Sequence, residues 1–199
     1  MAEEHTNRSV GRPREFDEET VLTAVMDAFW RKGYEATSLS DLCDCTGLHK
    51  GSLYQAFGGK HQLFMQSLEH YADTRIRHVA SAVGESESPL ENIKAAVGKI
   101  TEDAGSEKGC MMINSMVELS AHDPDVKAAL QRIGEKRLRC MADLFGKAQQ
   151  ADEIRRELDP YKLARQLMIT LAGSAAMVKG FLDGNEILET LDDMIESWT

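Results

Sequence analysis

The chain has 199 residues, 42% of them hydrophobic and 28% charged, with a net charge of −10. That length fits one large or two small domains, and the apolar fraction is enough for a real core. An acidic balance of this size argues against a protein that coats nucleic acid indiscriminately. Only four prolines, and long stretches without strand-like alternation, point to an all-α chain. No apolar run approaches the roughly 20 residues that span a bilayer, and the start MAEEHTNRS lacks a signal-peptide core. A cytoplasmic protein with no membrane partner is expected, with Cys43, Cys45, Cys110 and Cys140 as reduced thiols. Cys43-x-Cys45 lacks a second ligand pair at zinc-site spacing, and the histidines show no paired spacing beyond His70 and His78. No metal and no cofactor are therefore expected. No Ser/His/Asp order or phosphate loop appears either, so an enzyme is not expected.

The first nine residues are polar, and Gly11-Arg12-Pro13-Arg14 follows as a short basic arm stiffened by proline. Such an arm reaches into a minor groove or along phosphates, or serves only as a solubilising tail. Asp17 caps a first helix to about residue 32, whose core face carries Val21, Val25, Ala28 and Phe29. Lys32-Gly33 closes it. Residues 37–60, TSLSDLCDCTGLHKGSLYQAFGGK, then read as a unit. Ser38 with Asp41 three residues on makes a capping box for a second helix carrying Leu39, Leu42 and Cys43. Thr46-Gly47-Leu48 is a turn whose glycine takes a positive φ without a steric cost. A third helix over residues 49–56 turns Leu53 and Phe57 inward. Helix, glycine turn and helix make a helix-turn-helix, the unit that lays its second helix in the DNA major groove.

Charge is distributed to suit that reading. The first 60 residues carry seven Lys/Arg against ten Asp/Glu, yet no acid occurs from Cys45 to Leu68, where Lys50 and Lys60 lie. Lys50, Ser52 and Tyr54 suit phosphate contacts, which position without specifying. His49 and Gln55 can read base edges. Gly51 costs about 1 kcal/mol in a helix interior, which points to a close approach by DNA or by a neighbouring helix. The apolar side chains of three short helices make a small core (Val25, Phe29, Leu39, Leu42, Leu53 and Phe57), so this head is expected to lean on the helix that follows.

That helix starts near Lys60 and runs to about residue 82, with Leu63, Phe64, Leu68, Tyr71 and Ile76 apolar. A polar linker over residues 84–89 precedes a helix restarted by Ser88-Pro89. After a break at residues 102–109 comes CMMINSMVELS, the most apolar stretch. Asp123-Pro124 starts a helix to about residue 150, Asp159-Pro160 one to about residue 182, and Asn185 the last. About nine helices are expected in all. Cys110 stands near a helix N-terminus with Lys108 close by, which makes it a candidate thiol sensor, or else a small apolar group lining a pocket. The methionines at 111, 112, 116, 168 and 177 suit either a pocket for varied apolar ligands or a core. Asn114 and His122 are the polar groups expected to orient a ligand.

The segment GRPREF and the motif F-x-x-x-G-Y, then T-S, then T-G-L-x-K-G-S-L-Y-x-x-F-x-x-K, resemble the TetR type of bacterial transcriptional regulators over residues 11–66. GCMMINSMVEL resembles a segment found in a subset of them. The resemblance implies a homodimer of two α-helical parts: a three-helix DNA-binding head, residues 1–59, and an effector-binding and dimerisation domain, residues 60–199. The function implied is a sequence-specific repressor released from double-stranded operator DNA by a small apolar or electrophilic effector; the alternative is a redox or electrophile sensor acting through Cys110. Carried over by position, DNA contacts fall on Arg12, Arg14, Ser38, His49, Lys50, Gly51, Ser52, Tyr54, Gln55 and Lys60. Ligand binding or sensing falls on Cys110, Met111, Asn114, His122 and Met168. The last two helices are expected to pair with their symmetry mates through Leu167, Leu171, Ala175, Val178, Leu188, Leu191 and Ile195. Two departures stand out: Cys43 and Cys45 where family members often carry a small residue, and Gly59 where a Ser, Asn or Asp cap is common.

Overall fold

The structure, a computed structural model, describes residues 16–104, 108–178, 180 and 182–199. Arg12 and Arg14, expected to touch DNA, lie outside the described residues. Among those described there are nine helices and no strand: α1 (Glu18–Lys32), α2 (Leu39–Thr46), α3 (Lys50–Phe57), α4 (Lys60–Ala80), α5 (Pro89–Ala104), α6 (Met111–Leu119), α7 (Pro124–Gln150), α8 (Pro160–Met177) and α9 (Gly184–Glu196). No described helix is long and apolar enough to cross a membrane.

Each boundary has a local cause. Asp17 accepts from the Thr20 amide at 2.8 Å, and Glu18 and Glu19 sit where the helix dipole favours anions. Ser38 and Asp41 form the reciprocal capping box of α2. Gly47, at φ 68°, closes α2 in the left-handed conformation. Asp123 and Asp159 each accept two amides at the starts of α7 and α8, with Pro124 and Pro160 at N1. The eighth helix ends at Met177, short of the residue 182 expected, because Asp183 claims the segment as the capping box of α9.

Two apolar clusters fill the interior. The first holds the head residues Val21, Val25, Phe29, Leu42, Leu53 and Phe57 together with Leu63, Phe64 and Leu68 of α4. It continues without a break into Met111, Met112 and Leu119 of α6 and Val126, Leu130 and Ile133 of α7. The head thus leans on three helices rather than on α4 alone, while Leu39 is only half-buried at the cluster's edge. The second cluster joins α5, α7, α8 and α9 around Ile93, Phe145, Leu167 and Leu191.

That second cluster corrects the expected dimer residues. Leu167, Leu191 and Ile195 are fully buried inside the protomer, and Ala175 is 5% exposed. Their helix faces meet α5 and α7 of the same chain, so they are not available to a partner. Leu171 and Val178 are half-buried. Of the expected seven, Leu188 on α9 does face outward, and the other outward apolar positions are Tyr161, Ile169 and Met177 on α8.

Phe64 sits where head and body meet, edge-on to Phe29 with centroids 5.1 Å apart and to Tyr34 at 5.0 Å. Replacing a ring buried on all sides by methyl leaves a cavity, so Phe64→Ala should lower the unfolding free energy by about 3–5 kcal/mol in urea melts.

Candidate nucleic-acid interface and effector cavity

The third helix buries Leu53 and Phe57, at 1% and 4% exposure, and this fixes what its other face presents. His49, Lys50, Gly51, Ser52, Tyr54 and Gln55 are all exposed. The Lys50 ammonium lies 5.5 Å from the centroid of the Tyr54 ring. A Cβ built on Gly51 meets nothing within 4 Å, which removes a neighbouring helix as the reason for that glycine. Ser38 is exposed and caps α2: its hydroxyl donates to Asp41 Oδ2 at 2.7 Å and accepts the Asp41 amide at 3.1 Å. Lys60 lies 4.4 Å from the Tyr34 ring centroid and donates to the Glu35 carbonyl at 3.5 Å, so it rests against the turn between α1 and α2. Gly59 starts α4 in extended backbone with no side-chain cap. Cys43 packs half-buried against the head core. Partial withdrawal from water pushes the Cys45 thiol up, as do the carboxylates of Asp27, Asp41 and Asp44, which keeps it protonated and a poor nucleophile.

The head is tied to the body by groups far apart in sequence. Glu118 of α6 accepts the Tyr34 amide at 3.0 Å and the Glu35 amide at 2.8 Å. Gly33, at φ 81°, allows that approach, since a Cβ there would lie 2.9 Å from Glu118 Oε2. Trp30 Nε1 donates to the Gly109 carbonyl at 3.0 Å, and Lys108 pairs with Asp27 beneath the same indole. Partial burial pushes the Asp27 carboxyl up, but hydrogen bonds from Lys108 and Arg31 outweigh it and hold the group below its usual value. His61 near the start of α4 meets Asp123, the cap of α7, at 2.9 Å. His61, Asp123 and Asp125 come within ligand distance of one another, but Asp123 already accepts two backbone amides there.

Behind this joint a cavity of about 490 Å³ opens between α4, α6, α7 and α8. Its wall is mostly apolar, with Met112 and Met116 of α6, Met141 of α7 and Met168 of α8. Of the residues expected at a ligand, Cys110 and Met168 line it. Met111 does not: it is 1% exposed within the head cluster. Asn114 turns back to donate to the Lys108 carbonyl at 2.9 Å, and His122 is exposed beyond the end of α6. Cys110 is the N-cap of α6, and the Tyr71 hydroxyl donates to its sulphur at 3.7 Å. Lys108, the cation expected beside the thiol, is held by Asp27 instead. Burial pushes the Tyr71 hydroxyl far up, and Cys110 adds to this, so the phenol stays a donor.

Three arginines in the same wall, Arg75, Arg137 and Arg165, escaped the sequence reading. A signal existed for one of them. Val126, Leu130, Ile133, Met141 and Phe145 are buried at helical spacing, and Arg137 occupies the step between Ile133 and Met141. Glu118 gave no comparable signal, because its partners are 83 and 84 residues away.

A turn-linked helix pair with a polar outward face on its second helix, mounted on a hollow helical body, defines a helix-turn-helix regulator. Residues 21–66 match the model for bacterial regulatory proteins of the tetR family, and residues 88–192 match the tetracyclin repressor-like C-terminal domain. The chain belongs to the TetR family of bacterial transcriptional regulators. It is 29% identical to the HTH-type transcriptional repressor ComR of Escherichia coli, over 96% of this chain and 93% of that one. It is 31% identical to the HTH-type transcriptional regulator YezE of Bacillus subtilis, over 68% of this chain and 70% of that protein. Among solved structures, a cysteine mutant of the TetR-family regulator CifR, complexed with a 26-bp double-strand operator DNA, superposes with a TM-score of 0.82 at 25% identity. That alignment covers 94% of this chain and 100% of the other.

The two positive-φ glycines flanking α2 should respond differently to a methyl group. Gly47→Ala, with open space around it, should cost about 1–2 kcal/mol for the left-handed backbone alone. Gly33→Ala should cost more in the same urea titration, because it also displaces the Glu118 carboxylate.

Proposed function

We propose that this chain is a homodimeric, cytoplasmic transcriptional repressor that leaves its operator when a small molecule occupies the cavity. The observation that carries the reading is the outward face of α3, where five exposed side chains and a bare glycine surround two buried anchors. Residues 1–59 serve as the DNA-binding part and residues 60–199 as the effector and dimerisation part. Lys50, Ser52 and Tyr54 hold phosphates while Gln55 and His49 face base edges. Gly51 lets the backbone come close to the duplex, and Arg12 and Arg14 extend the contact along the adjacent groove. Ser38 and Lys60 meet the backbone of the duplex from the flanking helix ends. The ComR relative is named as a repressor and CifR is complexed with operator DNA, which supports the repressor and DNA-binding parts of the reading.

Dimerisation uses the outward stripe of α8 and α9, Tyr161, Ile169, Met177 and Leu188, in place of the buried positions named above. Two heads related by a two-fold axis then meet successive major grooves. Release follows from differential affinity, since only a ligand that prefers the unbound arrangement shifts the population. Both α4 and α6 reach from cavity to head. The fourth carries Tyr71 at the wall and Lys60 at the turn, while the sixth carries Cys110 at the wall and Glu118 on the Tyr34 and Glu35 amides.

Gel shifts with DNA from upstream of the chain's own gene test the reading, and the absence of a sequence-specific, salt-sensitive shift would end it. Lys50→Ala should weaken binding evenly across sequences and reduce the salt slope by about 1, whereas Gln55→Ala should relax discrimination at one base pair by about 1–3 kcal/mol. A charge in the dimer stripe should separate the protomers: Ile169→Glu is expected to sediment as a monomer and to lose operator binding, with the helical circular dichroism retained.

A further inference from the structure

Resting on the ligand-responsive reading above, we infer that the effector is an organic anion, a carboxylate or like oxyanion on an apolar body, whose head is held by Arg137 with Arg75 beside it. The cavity wall carries three guanidiniums, Arg75, Arg137 and Arg165, against one carboxylate, Glu135. That carboxylate is exposed, as is Arg165, and pairs with Arg139 at 3.6 Å. Among the described residues Arg137 meets no acid. Its Nη1 donates instead to the Met112 sulphur at 3.1 Å, a weak and neutral acceptor for a cation. Arg75 lies 6.0 Å from the centroid of the buried Tyr71 ring and lines the same cavity from α4.

A cation left in an apolar wall is costly unless something compensates it. Burial lowers the Arg75 guanidinium from its usual value and the nearby Arg137 lowers it further, while Tyr71, Cys110 and Glu102 act in the opposite sense. Guanidinium does not deprotonate in proteins, so relief for Arg137 must come from an anion and not from proton loss. The planar fork of arginine matches carboxylate and other oxyanions in a bidentate way. Methionines around the rest of the wall accept an apolar body of variable shape. Charge at one side and adaptable sulphur-rich surface elsewhere select an amphipathic anion over a neutral or cationic compound of the same size.

A matched pair of fluorescent probes tests this on the intact, DNA-free protein: 1-anilinonaphthalene-8-sulfonate, and N-phenyl-1-naphthylamine, the same rings without the sulfonate. The anion is expected to bind roughly tenfold more tightly or better, as a charge-assisted hydrogen bond implies. Arg137→Gln should abolish that preference by weakening the sulfonate alone, and Arg137→Lys should keep part of it. On the wild-type protein, added salt should weaken the sulfonate and leave the neutral probe unmoved, a measurement that needs no variant to fold. Equal affinities for the two probes, binding of neither, or a ratio indifferent to both Arg137→Gln and salt overturns the inference. Gel shifts in the presence of each probe separate this from the wider reading. Selective sulfonate binding without operator release sustains the ligand class and defeats the release mechanism. Release by the neutral probe alone does the reverse.

Discussion

The Glu118 carboxylate on the Tyr34 and Glu35 amides is the contact on which the joint between head and body turns. Hydrogen bonds to an ionised group are worth about 1.5–3 kcal/mol each, more than a neutral pair contributes. This pair acts on the short turn that aims α2 and hence α3. The contact needs Gly33, because any side chain there would occupy the carboxylate's place. It also fixes where α6 can lie, and α6 supplies one wall of the cavity. The apolar cluster running from α1 through α4 into α6 and α7 makes the joint stiff, so small shifts of one wall are passed on rather than absorbed.

Local features of the sequence translated directly into structure. The capping box at Ser38 and Asp41, the left-handed Gly47 and the Asp-Pro starts of α7 and α8 each depend on residues within four positions of one another. The inward pair Leu53 and Phe57 follows from helical periodicity alone, and with it the outward face of α3. This is why the candidate DNA-contacting residues of α3 could be named before any tertiary contact was known.

Features that depend on which helix face meets which neighbour could not be read in that way. The apolar residues of α8 and α9 form one pattern whether they face a partner protomer or their own core. Leu167, Leu191 and Ile195 face the core because α5 and α7 pack there, a fact set by residues up to about a hundred positions away. The same ambiguity misplaced Met111, Asn114 and His122. On a nine-residue helix a step of one position decides whether a core side chain also reaches the cavity: Met111 and Met112 share the head cluster, and Met112 alone of the two lines the cavity. The wall arginines were hidden for a related reason, since a charge on a long helix usually lies in solvent and only the cavity reveals Arg75 and Arg137 as lining one wall.

An anionic ligand held by Arg137 would have a mechanical consequence as well as affinity. Arg75 stands on α4 and Arg137 on α7, and Arg137 opposes the charge of Arg75 while Tyr71, Cys110 and Glu102 favour it. On the anion reading, an oxyanion bound by both guanidiniums would bridge α4 and α7. The N-terminal end of α4 carries Lys60 against Tyr34, and His61 against the cap of α7, so displacement at Arg75 reaches the head along a single helix. A neutral ligand of the same volume would fill the space without that bridge. Charge, rather than size, would then decide which compounds shift the equilibrium between the two arrangements.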